Sequence, residues 1–269
     1  MRKLISHSEV DAFTQCERKH AYAHIQKLQP KARSEGLSRG NAGHKVLEVW
    51  AKSLIAGEES EVALAKGLQE AASMPFAVAG MALATEWIRD IFPTLGWKII
   101  AAEVQYRVQF TETLVYPFKF DLLVEVNGEI WLVDHKFLYD FYTQQMINIF
   151  PQMPKYIFGL RQHGINARGA IYNMLRTRKV NKVEDRFKQM TTKPNEFRIK
   201  EAIAEQMLNM RKIEANVANE KYRPMRTANK MNCGNCGFAD LCEAEARGDS
   251  TKLMREHFYE PNDYGYEDD

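Results

Sequence analysis

The chain has 269 residues, of which 45% are hydrophobic and 11% aromatic, so it can bury a substantial core and is not expected to be disordered. Its formal net charge is only +2, so bulk charge predicts no polyanionic partner and any basic patch must be local. The sequence has no apolar run as long as a membrane span, no signal-peptide segment and too few cysteines for a disulfide framework, which favours a reducing, cytoplasmic location.

The N-terminal third is predicted to be helical. Ser6 is a candidate N-cap with Glu9 as its capping-box partner, and Cys16 falls within the helix that follows. A basic stretch with several glycines, residues 31–43, precedes a return to helical spacing. The alanine-rich residues 59–92 predict one or two further helices.

Strand-forming sequence begins after Trp97 with KIIAAEVQYRVQF. The clearest local signal is Asn127-Gly128 between two apolar runs, LVYPFKFDLLVEV and EIWLVDHKF, which predicts a hairpin with a type I′ turn. The remaining chain predicts a helix in FPQMPKYIFGLRQHG, a strand in ARGAIYNMLRT and a long helix in KEAIAEQMLNMRKIEANVANEKY. This order indicates a mixed α/β core with helical elaborations.

Two aspartates and a lysine lie on the predicted hairpin. Asp134 and Lys136 are two residues apart, so a strand projects both from one face. Asp121 and Asp134 each lie six residues from the turn, which places them nearly opposite each other in a regular register. Two carboxylates that close favour a hard divalent cation between them. The alternative is a solvated ion pair, but the apolar flanks of both aspartates disfavour it.

This pattern resembles the PD-(D/E)XK nuclease superfamily, and most closely its RecB-like branch. The matching features are an aspartate on one strand, D-x-K on the next, Gln-x-x-x-Tyr on the following helix and an upstream histidine in GNAGH. The resemblance implies ligands for one or two Mg²⁺ or Mn²⁺ ions at His44, Asp121, Asp134 and the His135 backbone carbonyl. It implies catalytic roles for Lys136, Gln152 and Tyr156. The chain departs from the family in PFKFD, which lacks the usual glycine, and in D-H-K, where E-x-K or D-Y-K is commoner.

Three of the four cysteines lie in MNCGNCGFADLC, and Cys16 is the fourth. On spacing alone this set fits tetrahedral zinc as well as an iron–sulfur cluster, and free thiols are a further alternative. Cys16 after S-x-S-x-x-x-x-F, with a C-terminal C-x2-C-x5-C, resembles RecB-like nucleases that hold such a cluster, including AddB-type subunits and CRISPR-associated iron–sulfur exonucleases. The resemblance implies a [4Fe–4S] cluster held by Cys16, Cys233, Cys236 and Cys242.

The implied fold is a restriction-endonuclease-like mixed sheet flanked by helices, with the N- and C-terminal segments joined at the cluster. We expect one nuclease domain over residues 1–269. Its expected parts are an N-terminal segment with the first cysteine and the histidine motif (1–50), a helical insertion (51–98), the nuclease core (99–180) and a C-terminal segment with a helix and three cysteines (181–269).

The implied activity is that of a metal-dependent deoxyribonuclease, more an exonuclease on DNA ends or single strands than an endonuclease. Candidate phosphate contacts are Arg18, Lys19, Arg33, Arg39, Arg176, Arg178 and Lys179. One alternative is a non-catalytic DNA-binding or assembly module that retains the fold. A zinc-stabilised interaction protein is another, but it would leave both aspartates without a role. A protein partner from a recombination, repair, phage or CRISPR adaptation system fits the resemblance, and a membrane does not.

Overall fold

The structure, a computed structural model, describes residues 3–32, 35–180 and 182–262. The helices are α1 His7–Gln15, α2 Glu17–His20, α3 Glu35–Ile55, α4 Ser60–Ala71, α5 Ala77–Glu86, α6 Gln144–Ile149, α7 Gln152–Gln162, α8 Glu196–Ala218, α9 Lys230–Gly234, α10 Ala239–Arg247 and α11 Lys252–Phe258. The strands are β1 Lys3–Leu4, β2 Leu28–Pro30, β3 Lys98–Ala102, β4 Gln105–Gln109, β5 Leu114–Lys119, β6 Leu122–Val126, β7 Glu129–Leu138, β8 Gly169–Arg176, β9 Phe187–Thr192 and β10 Tyr259–Pro261. Arg33 and the acidic tail DYGYEDD lie outside the described residues.

The chain divides into two compact units, and each is assembled from segments that are distant in sequence. The first unit contains Met1–Ser34, Arg107–Pro117 and Ala204–Asp269. The second contains Glu35–Tyr106 and Phe118–Ile203. One nuclease domain over the whole chain, with the four parts expected above, stays a prediction.

A five-stranded mixed sheet forms the centre of the second unit, in the order β3-β6-β7-β8-β9. Only the pair β7–β8 is parallel among the four pairs of this sheet. Parallel strands need a crossover connection, and here the chain between β7 and β8 supplies it with α6 and α7. The expected mixed α/β sheet flanked by helices is confirmed.

The predicted hairpin is present as β6 and β7. Asn127 and Gly128 both have positive φ, 51° and 78°, as a type I′ turn requires. Regular pairing runs from Val126 opposite Glu129 to Leu122 opposite Val133. It stops one residue short of Asp121, which therefore lies at the open end of the hairpin.

Helices α3, α4 and α5 complete the core of the second unit. Trp50 of α3 meets Trp87 edge to face, with ring centroids 6.0 Å apart, and both side chains are fully buried. The same apolar cluster includes the sheet residues Val124, Val133 and Leu175. Each large buried side chain contributes about 1.5–3 kcal/mol, so the helical segment at 51–98 supplies much of what holds this unit together.

The first unit has a small core of its own. β1 pairs with β5 in parallel, and β2 pairs with β10 in antiparallel orientation. Tyr22, Phe238, Leu241 and Tyr259 form its buried cluster, with the rings of Phe238 and Tyr259 stacked at 5.6 Å. Other apolar side chains of this unit, among them Phe13 and Ile213, are also buried.

The prediction that Cys16 lies within a helix is wrong. Ser6 does cap α1, accepting a hydrogen bond from the Glu9 backbone at 3.2 Å, but the helix ends at Cys16, whose φ of −166° and ψ of 116° are extended. The Glu9 carboxylate, the expected capping-box partner, contacts Nε2 of buried His20 at 3.0 Å. The break directs the Cys16 sulfur toward the C-terminal segment, where it accepts a hydrogen bond from the Thr227 N–H at 3.5 Å.

Candidate active site

The central strand β7 carries three consecutive residues of the predicted site. Asp134 and His135 are 6% and 1% exposed. Lys136 Nζ donates a hydrogen bond to Asp134 Oδ1 at 3.0 Å and lies 2.8 Å from Oδ2, so strand periodicity places both on one face as expected. Gln152, at the start of α7, accepts a 3.4 Å contact from Lys136 Nζ and donates to the Tyr156 hydroxyl at 3.2 Å. The predicted catalytic residues therefore form one connected network with Asp134.

Asp121 reaches the same place from the neighbouring strand. The run predicted as one strand is interrupted here, because β5 and β6 are separate and Asp121 precedes β6. Its Oδ2 accepts a hydrogen bond from the His135 backbone N–H at 2.6 Å. The N–H and C=O of one strand residue point to the same side, so the His135 carbonyl also faces the side of Asp121.

Gly43 explains how His44 approaches the sheet. A Cβ at Gly43 would lie 2.2 Å from the Phe137 ring, so only glycine lets α3 come this close to β7. The approach places His44 Nδ1 3.6 Å from Asp121 Oδ2. Burial, helped by the nearby Lys136 charge, lowers the pKa of His44, and a neutral imidazole keeps a lone pair for a metal.

Two charged residues of the site were not predicted from the sequence. Glu103 follows β3 with a φ of +54°, and its N–H donates to the Asp121 carbonyl at 2.9 Å. Its carboxylate lies 2.5 Å from Lys119 Nζ. Burial, then the Asp121 charge, raises the pKa of Glu103. Its only sequence signal is an acid within an apolar run.

Glu48 of α3 also acts on the site through its charge, which contributes to raising the pKa values of Asp121 and Glu103. Its own carboxylate is held by Lys45 at 2.9 Å and Lys52 at 2.6 Å. It lies one helical turn after His44 and on the same helix face.

Asp121 and Asp134 outnumber the one lysine, Lys136, whose charge acts most on both. Burial raises the pKa values of Asp121 and Asp134, and the Asp121 charge raises that of Asp134 further. Lys136 opposes both shifts, and the attraction of the two aspartates outweighs burial and raises the pKa of Lys136. Because Lys119 is engaged by Glu103, buried Asp134 and half-buried Asp121 share one close lysine. A divalent cation with oxygen and imidazole ligands fits this donor set.

The four cysteines lie in the first unit, where all of them line one cavity of about 360 Å³. They form no disulfide. Arg226 Nε donates to Cys242 Sγ at 3.2 Å, and burial raises the pKa of Cys236. The structure thus brings Cys16 to the same cavity as Cys233, Cys236 and Cys242. The Arg226 guanidinium and the Thr227 N–H lie beside the sulfur atoms and would stabilise thiolates.

In the parts of the chain that the structure describes, no three His, Cys, Asp or Glu side chains converge closely enough to hold one metal ion. The chemistry of both donor sets nevertheless fits: hard oxygen and imidazole groups in one, four thiols around a cavity with room for more than one ion in the other.

The candidate phosphate contacts do not form one group. Arg18 and Lys19 line the cysteine cavity. In the second unit Arg39 is paired with Glu35, whereas Arg176 and Arg178 stand against aromatic rings near the end of β8.

Two aspartates and a lysine thus lie together at the open end of a central hairpin of a mixed sheet. The sequence profile of the PD-(D/E)XK nuclease superfamily matches residues 4–243, and the chain belongs to this superfamily. Its members are nucleases that generally use Mg²⁺ or Mn²⁺, and membership implies a DNA substrate.

Solved structures agree on the fold. A protein from Eubacterium rectale named "Putative exonuclease" superposes with a TM-score of 0.56 at 14% identity, covering 83% of this chain and 84% of its own. SSO0001 is 12% identical over 87% of this chain and 96% of its own, but its TM-score of 0.38 is too low to support an argument. No curated protein matches the sequence significantly. None of the helices in the described residues is both long and apolar enough to span a bilayer.

Proposed function

We propose that the protein is a metal-dependent deoxyribonuclease that hydrolyses phosphodiester bonds as an exonuclease on DNA ends or single strands. The observation that supports this most is the continuous network from Asp121 through the His135 backbone to Asp134, Lys136 and Gln152. A surface ion pair does not require a second carboxylate, largely shielded from solvent, that repels the first.

His44, Asp121, Asp134 and the His135 carbonyl are the groups that would hold Mg²⁺ or Mn²⁺. When bound, the metal supplies an activated water and neutralises charge on the scissile phosphate. Lys136 stays protonated beside Asp134 and donates hydrogen bonds to the phosphate or the attacking water. Gln152 fixes the position of Lys136 and of the Tyr156 hydroxyl, which orients the DNA.

The first unit, by the same proposal, holds a structural [4Fe–4S] cluster on its four cysteines. The shared cavity and the donors to Cys16 and Cys242 support it. Zinc is the competing occupant, since four thiolates satisfy either. Anaerobic purification distinguishes the two, because an iron–sulfur protein is brown and a zinc protein is colourless.

The catalytic assignment is tested with Lys136→Ala. Loss of one electrostatic donor typically reduces turnover by about 10²–10³-fold, or about 3–4 kcal/mol, and affects ground-state binding far less. We expect the variant to stay folded and to bind a single-stranded oligonucleotide within a few-fold of wild type while cleaving almost none. Digestion of end-labelled DNA in Mn²⁺, paired with gel shifts in chelator, measures both properties.

Lys98→Ala is the matched control, because Lys98 lies on the same sheet, is exposed and pairs only loosely with Glu125 at 3.5 Å. It should cleave like wild type. If Lys136→Ala cleaves as fast, the catalytic assignment is wrong. If wild-type protein binds DNA but digests none in any metal, the non-catalytic binding module takes its place.

A further inference from the structure

An aromatic and basic surface lies just beyond the candidate active site, and the proposed mechanism does not use it. The parallel strands β7 and β8 end together, with Leu138 opposite Arg176. Tyr139 and Phe141 follow β7, and Arg176 and Arg178 stand at the end of β8. We call these four residues the ring–arginine surface.

Each ring of this surface is held by an arginine. The Arg176 guanidinium lies 3.9 Å from the centre of the Phe141 ring, and that of Arg178 lies 5.9 Å from the centre of Tyr139. Both are within the range of a cation–π interaction. The Thr177 N–H donates to the Leu138 carbonyl at 2.7 Å, which ties the two segments together. The rings are therefore presented from fixed strand ends.

Tyr139 is 70% exposed although its side chain is large and aromatic, so it does not serve to fill the hydrophobic core. Within the described part of the chain Arg176 pairs with no carboxylate, and its buried Nε has no hydrogen-bond acceptor. Arg178 contacts Asp140 at 2.9 Å, but both side chains are exposed and such pairs are worth at most about 1 kcal/mol. Both arginines can therefore turn to a phosphate at little cost.

We propose that the ring–arginine surface binds single-stranded DNA next to the scissile phosphate, with an unpaired base stacked on Tyr139 and backbone phosphates on Arg176 and Arg178. Aromatic rings with interleaved cations are the usual platform for single strands, because every base has a face that can stack. A base inside a duplex has no free face, because both of its faces are stacked on neighbouring bases. This inference rests on the proposed nuclease function and adds its substrate class.

The spacing along β7 allows one DNA strand to reach both Lys136 and the ring–arginine surface. Leu138 lies two residues beyond Lys136 on β7, about 7 Å of extended chain. By this inference, a nucleic-acid strand whose phosphate lies beside Lys136 continues along β7 to the end of the strand, where Tyr139 follows. The ring–arginine surface would thereby select the unpaired end that enters the site.

The test measures binding of a fluorescent oligothymidine in chelator, so that cleavage plays no part. Tyr139→Ala should weaken binding about tenfold, the range seen when one stacking residue is lost. Tyr139→Trp should keep the affinity, because stacking needs the ring and not the hydroxyl. Arg176→Gln should lower the slope of log affinity against log salt by about 0.7, the single-strand value for one phosphate contact.

Two further variants sharpen the result. Phe197→Ala is the matched control, since Phe197 is 74% exposed in the same unit and no guanidinium stands over its ring in the described residues; it should bind like wild type. Asp140→Asn frees Arg178 and should tighten binding a few-fold. Affinity for a blunt duplex should change little in Tyr139→Ala.

The outcomes separate this inference from the proposed function. If Tyr139→Ala binds the oligonucleotide as wild type does, or Phe197→Ala loses as much, the ring–arginine surface is not the binding site, even if the enzyme digests DNA normally. If binding depends on Tyr139 but wild type cleaves nothing in any metal, the surface stands and the nuclease assignment fails.

Discussion

Single residues set the charge of the active site. Asp134 is buried and Asp121 half-buried, the Asp121 charge raises the pKa of Asp134, and Lys136 is the charge that most stabilises both carboxylates. His44 adds a neutral imidazole, which is a softer ligand than Mg²⁺ prefers and suits later first-row metals. The site should therefore accept Mn²⁺ readily.

We predict that Mn²⁺ supports cleavage at least as well as Mg²⁺ and that Ca²⁺ does not support it. His44→Ala removes one ligand and should raise the metal concentration needed for half-maximal cleavage, most of all for Mg²⁺. Side-by-side titrations of wild type and variant measure this. His257→Ala, at an exposed histidine of the other unit, should leave the titration unchanged. A clear preference of wild type for Mg²⁺ would count against His44 as a ligand.

At the scale of elements, glycine at position 43 decides how closely α3 approaches β7. Gly43→Ala would place a methyl group against the Phe137 ring, so the ring or the helix must shift, and a shift of the helix carries His44 with it. Overpacking of this kind costs about 1–3 kcal/mol. We predict a lower melting temperature together with a loss of cleavage, measured by thermal unfolding and DNA digestion.

Gly36→Ala is a control on the same helix, because a Cβ there meets nothing within 4 Å. It should be neutral or slightly stabilising, since alanine is the better helix former. Adding Phe137→Leu to Gly43→Ala should restore part of both losses. If Gly43→Ala cleaves DNA as fast as wild type, the close approach of α3 to β7 is not required for activity.

What the sequence predicted at this scale depended on local chemistry. The hairpin was predictable because Asn127-Gly128 favours positive φ at both positions. Helical spacing was expected to resume only at His44, but α3 already begins at Glu35, because contacts of α3 with the sheet outweigh the low helix propensity of its glycines. The turn at Glu103 was missed because positive φ at a non-glycine residue has no reliable sequence signal. Asp134 and Lys136 were predictable as neighbours because strand periodicity places both on one face, whereas Gln152 was assigned only from the family resemblance.

At the scale of the whole molecule, the two proposed chemistries belong to different units. The metal-binding and catalytic groups lie in the second, and the cysteines lie in the first. The N- and C-terminal segments of the first unit meet only after most of the chain has intervened. A crosslink between Cys16 and the C-terminal cysteines would close a loop worth on the order of 5 kcal/mol in the chain-entropy model. The stability of the first unit should therefore depend on the metal ion or cluster that its cysteines bind.

We predict that Cys16→Ala loses iron and thermal stability together, as Cys236→Ala does, because three thiolates cannot complete the site. Iron content per chain and the melting temperature of anaerobically purified protein measure both. Thr14→Ala, at an exposed position of α1, is the control and should keep its iron. Iron content in Cys16→Ala equal to that of wild type would exclude Cys16 as a ligand. A colourless wild type that loses zinc on the same substitution would retain the four-cysteine closure and replace the cluster with a single ion.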